Sequence, residues 1–301
     1  MQKNSKYLFS VVVILLLAPI VYFSGNNKST PDFSDSAHIA AQDGNLCIKY
    51  IDVGQGDSEL IRLPDGETIL IDAGEKKNAD AVVSTLNDMS VTKIDYLIAT
   101  HPHADHIGGM SEIVEDFEIG KVYMPRADHD SQIYLALLEA IDRKGLKITE
   151  AKAGTSFISG DNIDAEFLAP SSEVYSSLND YSAVVKLKYK NNSFLFTGDA
   201  ETLSESEMLG KGYDLSADVL KVGHHGSKTS TSAEFLNKVN PKYAIISCGV
   251  NNKYSHPSEE TLEKLSAKNI NVFRTDLMGT ITLYSDGDNI SFEVKKNADN
   301  N

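Results

Sequence analysis

Short apolar runs alternate with amphipathic stretches along the chain from about residue 45 onward. Apolar runs of about four to eight residues bounded by turn residues predict buried strands, and apolar positions at helical spacing predict helices with one buried face. The strands predicted in this way flank a glycine turn within 47–63 and recur at 68–72, 96–100, 182–189, 193–197, 217–222, 243–247 and, as a hairpin, at 280–295. The helices are predicted at 78–87, 131–144, 232–239 and 259–268. Hairpins beside buried strands imply mixed sheets with helices on the outside.

The first residues follow a different pattern. Lys3 and Lys6 precede an apolar run at 7–23 that is broken only by Ser10 and Pro19. Seventeen residues are short for a membrane span and long for the core of a signal peptide, and the basic residues in front place the amino end in the cytoplasm. We therefore expect an exported domain at the extracellular face of the membrane, anchored by this segment, or secreted if the segment is cleaved.

The rest of the chain divides by composition. Residues 25–44 are polar with no hydrophobic period, which is typical of a tether. The pattern predicts an anchor at 1–24, this tether, one catalytic domain at 45–296 and a polar tail at 297–301. With 41% hydrophobic and 24% charged residues, the chain is neither disordered nor a multi-span membrane protein.

Net charge and cysteine content limit the classes of function that the chain can have. The chain has 28 basic and 43 acidic residues and a net charge of −15, which argues against a broad basic surface for nucleic acid. An anionic substrate must therefore be recruited locally, by metal ions or a small basic rim. Cys47 and Cys248 lie in apolar runs, so we expect buried free thiols and no disulfide framework.

Three histidines and an aspartate are concentrated within residues 101–106, directly after a predicted buried strand. Four such groups are costly to desolvate unless something binds them, and a divalent metal is the simplest partner. On extended backbone His101 and His103 point to the same side and can reach one ion, and Asp105 and His106 can then turn toward a second. Imidazole and carboxylate ligands together favour zinc, with manganese as the alternative.

Further ligands follow two other predicted strands. Asp199 comes directly after the run 193–197, where a carboxylate can bridge two ions, and His224 and His225 follow the run 217–222. Taken alone, these segments could be an ordinary turn and a solvated loop. Together with the cluster at 101–106, they predict a binuclear site.

Several motifs resemble a known superfamily. HPHADH at 101–106, the preceding IDAG, the later FTGD and LKVGHHGSKTST are similar to the metallo-β-lactamase superfamily. IDVGQGDSELI, the segment 179–182 and SCGVNNKYSHPS resemble, more narrowly, the hydrolase domain of ComEC-type competence proteins. The resemblance covers about residues 45–294. It implies an α/β (four-layer α+β) fold, an αββα sandwich of two mixed sheets with helices outside and two metals at one edge.

The resemblance also assigns residues. It implies two divalent ions, zinc or manganese, and His225 as the remaining imidazole ligand, with His224 beside it as a proton donor or supporting group in an order that could be exchanged. Asp72 matches the aspartate that orients the ligand loop. Asn179 stands where β-lactamase-type relatives have a histidine, which disfavours a β-lactamase and leaves His129 without a role. The metal ligands implied are His101, His103, Asp105, His106, Asp199 and His225.

Other candidates have two interpretations each. His256 could protonate a leaving group or bind phosphate, or it could fix a turn. Ser227, Lys228 and Thr229 could contact phosphate oxygens or cap a helix. Asp57 could support the metal loop or stabilise its own turn.

The chemistry of two adjacent cations suits a phosphodiester, which a metal-bridged hydroxide would attack. Asp105 or Asp199 could orient that water, and His224 or His256 could protonate the leaving group. We therefore expect an extracellular, membrane-tethered metallohydrolase, a phosphodiesterase acting on DNA or another phosphodiester. Nothing in the sequence identifies a protein partner. The alternatives are a lactone or thioester hydrolase and a non-catalytic surface binding module on the same fold.

Overall fold

The computed structural model describes residues 44–294. The strands are, in chain order, β1 (Leu46–Tyr50), β2 (Glu59–Arg62), β3 (Thr68–Ile71), β4 (Lys93–Ile98), β5 (Glu118–Met124), β6 (Ile148–Glu150), β7 (Thr155–Ser159), β8 (Ile163–Ala169), β9 (Val184–Tyr189), β10 (Asn192–Phe196), β11 (Val219–Lys221), β12 (Tyr243–Ile246), β13 (Asn271–Arg274), β14 (Ile281–Ser285) and β15 (Ile290–Val294). The helices are α1 (Ala79–Asp88), α2 (Ala104–Ile107), α3 (Met110–Asp116), α4 (Gln132–Arg143), α5 (Thr202–Lys211), α6 (Ala233–Val239), α7 (Glu259–Ala267) and α8 (Thr275–Met278). Short 3-10 turns occur at Lys76–Asn78, Leu178–Tyr181 and Gly223–Gly226.

The strands form two mixed sheets. The eight-stranded sheet has the order β15-β14-β1-β2-β3-β4-β5-β6, and the seven-stranded sheet has the order β13-β12-β11-β10-β9-β8-β7. The run β3-β4-β5-β6 is parallel, as is the run β10-β11-β12-β13, and the other pairs are antiparallel. Each sheet therefore has a parallel part whose strands end at one edge.

Alternation of side chains along the strands places one core between the sheets. Ile69 and Ile71 of β3 enter this central core, as do Phe194 and Phe196 of β10. Leu70 points the other way, into the core beneath α1, α3 and α4. Because successive side chains of a strand face opposite sides, both faces of each sheet are apolar and covered.

Helices cover the two outer faces. Residues of α1, α3 and α4 pack on the eight-stranded sheet, and Met208 of α5, Phe235 of α6 and Leu265 of α7 pack on the seven-stranded sheet. The layer order is helices, sheet, sheet, helices. This confirms the expected αββα sandwich.

Many predicted elements are confirmed, with small shifts. Ser131, Ser232 and Ser258 each cap a predicted helix by accepting a hydrogen bond from the third backbone N–H that follows. The hairpin of β9 and β10 turns at Lys190 and Asn191, because Asn192 pairs with Tyr189, so β10 begins one residue before the predicted strand 193–197. Cys47 and Cys248 are buried free thiols, as expected.

The predicted anchor at 1–24, nearly all of the tether and the polar tail at 297–301 lie outside the described residues. Within residues 44–294, no helix is both long enough and apolar enough to cross a membrane.

Candidate metal centre

The candidate ligands lie where parallel strands of both sheets end. β3 leads into Asp72 and the parallel β4 into 101–106. In the other sheet, β10 leads into Asp199 and the parallel β11 into His224 and His225. Carboxyl ends of parallel strands are the usual place for a binding site, and here two such edges meet.

Asp199 lies between two groups of imidazoles. Its Oδ1 is 3.2 Å from Nε2 of His106 and 3.6 Å from Nε2 of His225. Its Oδ2 is 3.8 Å from Nε2 of His101 and 3.7 Å from Nε2 of His224. One carboxylate therefore presents a separate oxygen to each group, as a bridging ligand of two ions would.

The remaining predicted ligands join these groups. Nδ1 of His103 lies 2.9 Å from Nε2 of His101. Asp105 Oδ2 lies 3.3 Å from Nε2 of His225. The structure thus brings together all six ligands that the sequence predicts, with His103 on the His101 side and Asp105 on the His225 side.

The buried atoms of this centre fit a divalent metal. Asp199 Oδ1, His106 Nε2 and His225 Nε2 are buried without a hydrogen-bond partner, although they converge on one another. Unpaired buried polar atoms are rare because their desolvation is costly. A cation among them would satisfy all three. Imidazole nitrogens with carboxylate oxygens form a donor set suited to zinc or manganese.

The charges of the metal-free centre also favour a cation. Burial acts to raise the pKa of Asp199, but His106 and His225 outweigh it and hold the pKa well below its ordinary range. Burial acts to lower the pKa of His225, but Asp199 and Asp57 outweigh it and raise the pKa to about 10. The pKa of His106 is likewise raised well above its ordinary value, by Asp199 and Asp72 against burial. The raised pKa values favour the protonated forms of His106 and His225, whereas burial lowers the pKa of His101, so metal binding at His106 and His225 should release protons.

Asp72 orients His106. Its Oδ2 is 2.7 Å from Nδ1 of His106 and accepts a hydrogen bond from the Thr100 hydroxyl at 2.6 Å, and its Oδ1 accepts one from the backbone N–H of Thr100 at 2.8 Å. These bonds fix the ring and direct its Nε2 toward Asp199. The role expected for Asp72 from the resemblance agrees with these contacts.

His225 is supported from the opposite sheet. Its Nδ1 lies 3.1 Å from Asp57 Oδ1 and 3.0 Å from the carbonyl oxygen of Ser247. Asp57 Oδ2 in turn accepts a hydrogen bond from Nζ of the fully buried Lys221 at 2.6 Å. Asp57 therefore contacts a metal-ligand candidate, in line with the first of its two interpretations. Lys221 was not predicted from the sequence, and its signal was a lysine between the apolar residues Leu220 and Val222 of a predicted strand.

His224 has a polar surrounding of its own. Its Nδ1 lies 3.3 Å from Glu201 Oε1 and 3.3 Å from the Thr229 hydroxyl, and the amide of Asn179 lies 3.4 Å away. His224 and His225 both have a left-handed backbone, with φ of 50° and 54°. Such strain at two consecutive non-glycine residues is typical of a functional turn, and here it sends both rings toward Asp199. Glu201 had no sequence motif that could have revealed it.

A cavity of about 330 Å³ opens beside the centre. Its lining consists of predicted site residues together with three that were not predicted from the sequence, Gln55, Ala104 and Tyr254. The pKa of His256 is lowered to about 4, mainly by burial and next by the nearby His224. The imidazole of His256 is therefore neutral at pH 7. The full lining is Gln55, His103, Ala104, Asp105, Asp199, His224, His225, Tyr254 and His256.

Ser227, Lys228 and His129 do not line the cavity. Ser227 is buried, with its hydroxyl 3.0 Å from that of Thr229, and Lys228 is exposed beside it. His129 lies in the loop before α4, where its Nδ1 accepts a hydrogen bond from the backbone N–H of Ser131 at 3.3 Å.

Comparisons with known proteins agree with this geometry. The family model of the metallo-beta-lactamase superfamily matches residues 51–250. Curated relatives include ComE operon protein 3 of Bacillus subtilis, 32% identical over 91% of this chain and 38% of its own length, and competence protein ComA of Neisseria gonorrhoeae, 32% identical over 80% and 33%. The chain thus spans about a third of the length of these relatives.

Solved structures show the same fold at low identity. The metallo-beta-lactamase fold protein YhfI of Bacillus subtilis aligns with a TM-score of 0.52 at 12% identity over 80% of this chain and 100% of its own. CmlA, a diiron beta-hydroxylase of Streptomyces venezuelae, aligns with a TM-score of 0.53 at 16% identity over 81% and 55%. These likenesses establish the sandwich and nothing about the reaction.

Proposed function

Because the chain belongs to the metallo-beta-lactamase superfamily, we propose that it is a metal-dependent phosphodiesterase that acts on nucleic acid or another phosphodiester. The observation that carries this proposal is the position of Asp199, whose two oxygens each face a separate pair of imidazoles. A pair of ions held about one carboxylate suits an in-line displacement at phosphorus.

Different residues of the centre can serve different steps of hydrolysis. Bound divalent ions would supply Lewis acidity at the phosphoryl oxygens and acidify a water at neutral pH. Asp105 is partly exposed to the cavity and can orient the attacking water by accepting its hydrogen bond. His256 borders the same cavity as a neutral imidazole that can donate a hydrogen bond to the leaving oxygen. His224 is the second group that could deliver a proton there.

Two features support a phosphodiester as the substrate. The relatives with similar sequences include proteins named for competence, although this chain covers only about a third of their length. The loops 223–233 and 249–258 beside the cavity contain Lys228 and Lys253 and no acidic residue, although the whole chain has 43 acidic and 28 basic residues. This local charge favours an anion at a site on an otherwise acidic protein.

We also propose that the domain lies at the extracellular face of the membrane. The support is the sequence at Lys3, Lys6 and 7–23, which lies outside the described residues. Protease added to intact cells should remove the domain from the cell-bound fraction. Recovery of the domain in the medium, with a new amino terminus after Ser24, would instead mean that the segment is a cleaved signal.

A side-by-side substrate screen tests the reaction. The full chain, loaded with zinc or manganese, is offered bis-p-nitrophenyl phosphate, single-stranded DNA, double-stranded DNA and a lactone, with Asp199→Ala as the control. We expect cleavage of the phosphodiesters that the control lacks. Opening of the lactone alone would favour the lactone or thioester hydrolase, and activity on no substrate would favour a binding module.

A further inference from the structure

An aromatic ring lies exposed at the rim of the metal cavity. Tyr254 lines the cavity and is 53% exposed. Its ring stacks on that of His256, with centroids 5.7 Å apart and planes at 25°, and His256 stacks on His225 at 6.4 Å and 29°. A column of three rings therefore runs from solvent to a metal-ligand candidate.

The loop that carries Tyr254 is held in shape by Asn252. The Asn252 amide donates to the carbonyl oxygen of Gly249 at 2.9 Å, and its oxygen accepts the backbone N–H groups of Tyr254 at 3.2 Å and His256 at 3.0 Å. The N–H of Gly249 in turn donates to Gln55 Oε1 at 3.1 Å, which ties the loop to the turn after β1. The exposed ring is thus presented in a fixed position, so little order has to be gained when a ligand binds.

The remaining feature is a cation beside this ring. Lys253 Nζ lies 4.9 Å from the centroid of the Tyr254 ring. A cation on an exposed ring binds more weakly than a stacked nucleobase does. A base could therefore take the place of the ammonium, which would then be free to contact a phosphate of the same strand.

We propose that Tyr254 is a stacking platform for an unpaired nucleobase of a polynucleotide strand whose phosphodiester lies in the metal cavity. This inference rests on the proposed phosphodiesterase function and specifies its substrate as a single strand. Bases within a duplex already have both faces stacked, so only an unpaired base can use the ring. Lys253 contributes an electrostatic contact to the adjacent backbone.

The absence of tryptophan from the chain makes a direct binding test available. Tyr254→Trp introduces a single tryptophan on the platform of the metal-loaded chain, and phosphorothioate linkages in the oligonucleotides slow their cleavage during the measurement. We expect oligothymidylate to quench this fluorescence, and an abasic strand with the same number of phosphates to leave it nearly unchanged. The matched control is the metal-loaded Leu135→Trp chain, which places the tryptophan on an exposed part of α4. Equal quenching by both strands, or equal quenching in the control, would overturn the platform.

Kinetics of the metal-loaded full chain provide the second measurement. Tyr254→Ala should raise the KM for oligothymidylate by about tenfold and that for the abasic strand by less than about twofold, whereas Tyr254→Phe should stay near wild type. Equal effects of Tyr254→Ala on both strands would contradict the inference while cleavage of either strand upholds the phosphodiesterase. Base-selective quenching without any cleavage would contradict the phosphodiesterase and leave the platform standing.

Discussion

Replacing Lys221 by methionine should destabilise the fold strongly. Lys221 ends β11 of the seven-stranded sheet, and Asp57 lies in the turn after β1 of the eight-stranded sheet, so their ion pair joins the two sheets. Both side chains are 1% exposed, and Nζ lies 2.6 Å from Oδ2. Burial and the charge of Asp57 raise the pKa of Glu59 well above its ordinary range, and Asp57 is the carboxylate that pairs directly with Lys221.

The size of the loss follows from burial. Removal of one partner of a buried pair leaves an uncompensated charge and costs about 3–5 kcal/mol, a large part of the about 5–15 kcal/mol that stabilises an ordinary domain. Burial opposes the ionised form of Asp57, but Lys221 and His225 hold its pKa below 3.8. The contribution of Asp57 is therefore present at neutral pH and is lost only as the pH falls through that lowered pKa.

Urea unfolding followed by circular dichroism measures this loss. The matched control is Lys242→Met, which breaks the exposed pair with Asp218 at 3.1 Å and should cost less than about 1 kcal/mol. The double variant with Asp57→Asn should lose less than the sum of the single losses, because the two groups interact directly. A free energy of unfolding of Lys221→Met within about 1 kcal/mol of the wild-type value would mean that the pair does not stabilise the junction of the sheets.

Three further outcomes are expected. Elemental analysis should find about two divalent ions per chain. Asp199→Ala should lower the metal content and the activity together, whereas His129→Ala should change neither. Absence of stoichiometric metal after purification without chelator would contradict a binuclear centre. His224→Ala should lower the metal content by about one ion, since its Nε2 faces Asp199 Oδ2 as His101 does, whereas unchanged metal with lost activity would identify a proton donor. Hydrogen bonds from Lys186 and then Ser216 lower the pKa of Asp214 from 3.8 to about 2, so ionised Asp214 stabilises the fold above about pH 4. In urea unfolding, the difference in free energy of unfolding between the wild type and Asp214→Asn should therefore shrink as the pH falls from about 4 toward 2. A difference that stays constant over this range would contradict the assignment.

The sequence could reveal ligands that are close along the chain or that end an apolar run. The cluster at 101–106 is local, and Asp199 and His225 each follow a strongly apolar strand. The pair of Lys221 and Asp57 could not be found in this way, because the two residues are 164 positions apart and meet only when the sheets pack. Tyr254 was missed for a similar reason, since its place at the cavity depends on the hydrogen bonds of Asn252.

Two of the elements that were not predicted, α5 and β7, have weak hydrophobic patterns for physical reasons. α5 buries Ser204 and Glu205 beside Met208, so its inner face is partly polar and lacks an apolar stripe. Glu205 is accommodated there because it accepts the backbone N–H groups of Thr231 and Ser232. β7 lies at the edge of its sheet and has no fully buried residue, so its period is faint. These two elements are stabilised by tertiary contacts, which leave no hydrophobic period in the sequence.

The geometry of the centre is set by how the two sheets pack. Cluster 101–106 comes from the eight-stranded sheet, and Asp199, His224 and His225 come from the seven-stranded sheet. The central apolar core fixes the separation of the sheets, and the buried bond between Asp57 and Lys221 fixes it again directly behind His225. Because interiors are close-packed and transmit strain, distances among ligands from different sheets depend on residues that touch no ligand. The distances within 101–106 depend instead on one loop, so the His225 side of the centre is the part most sensitive to changes in the core.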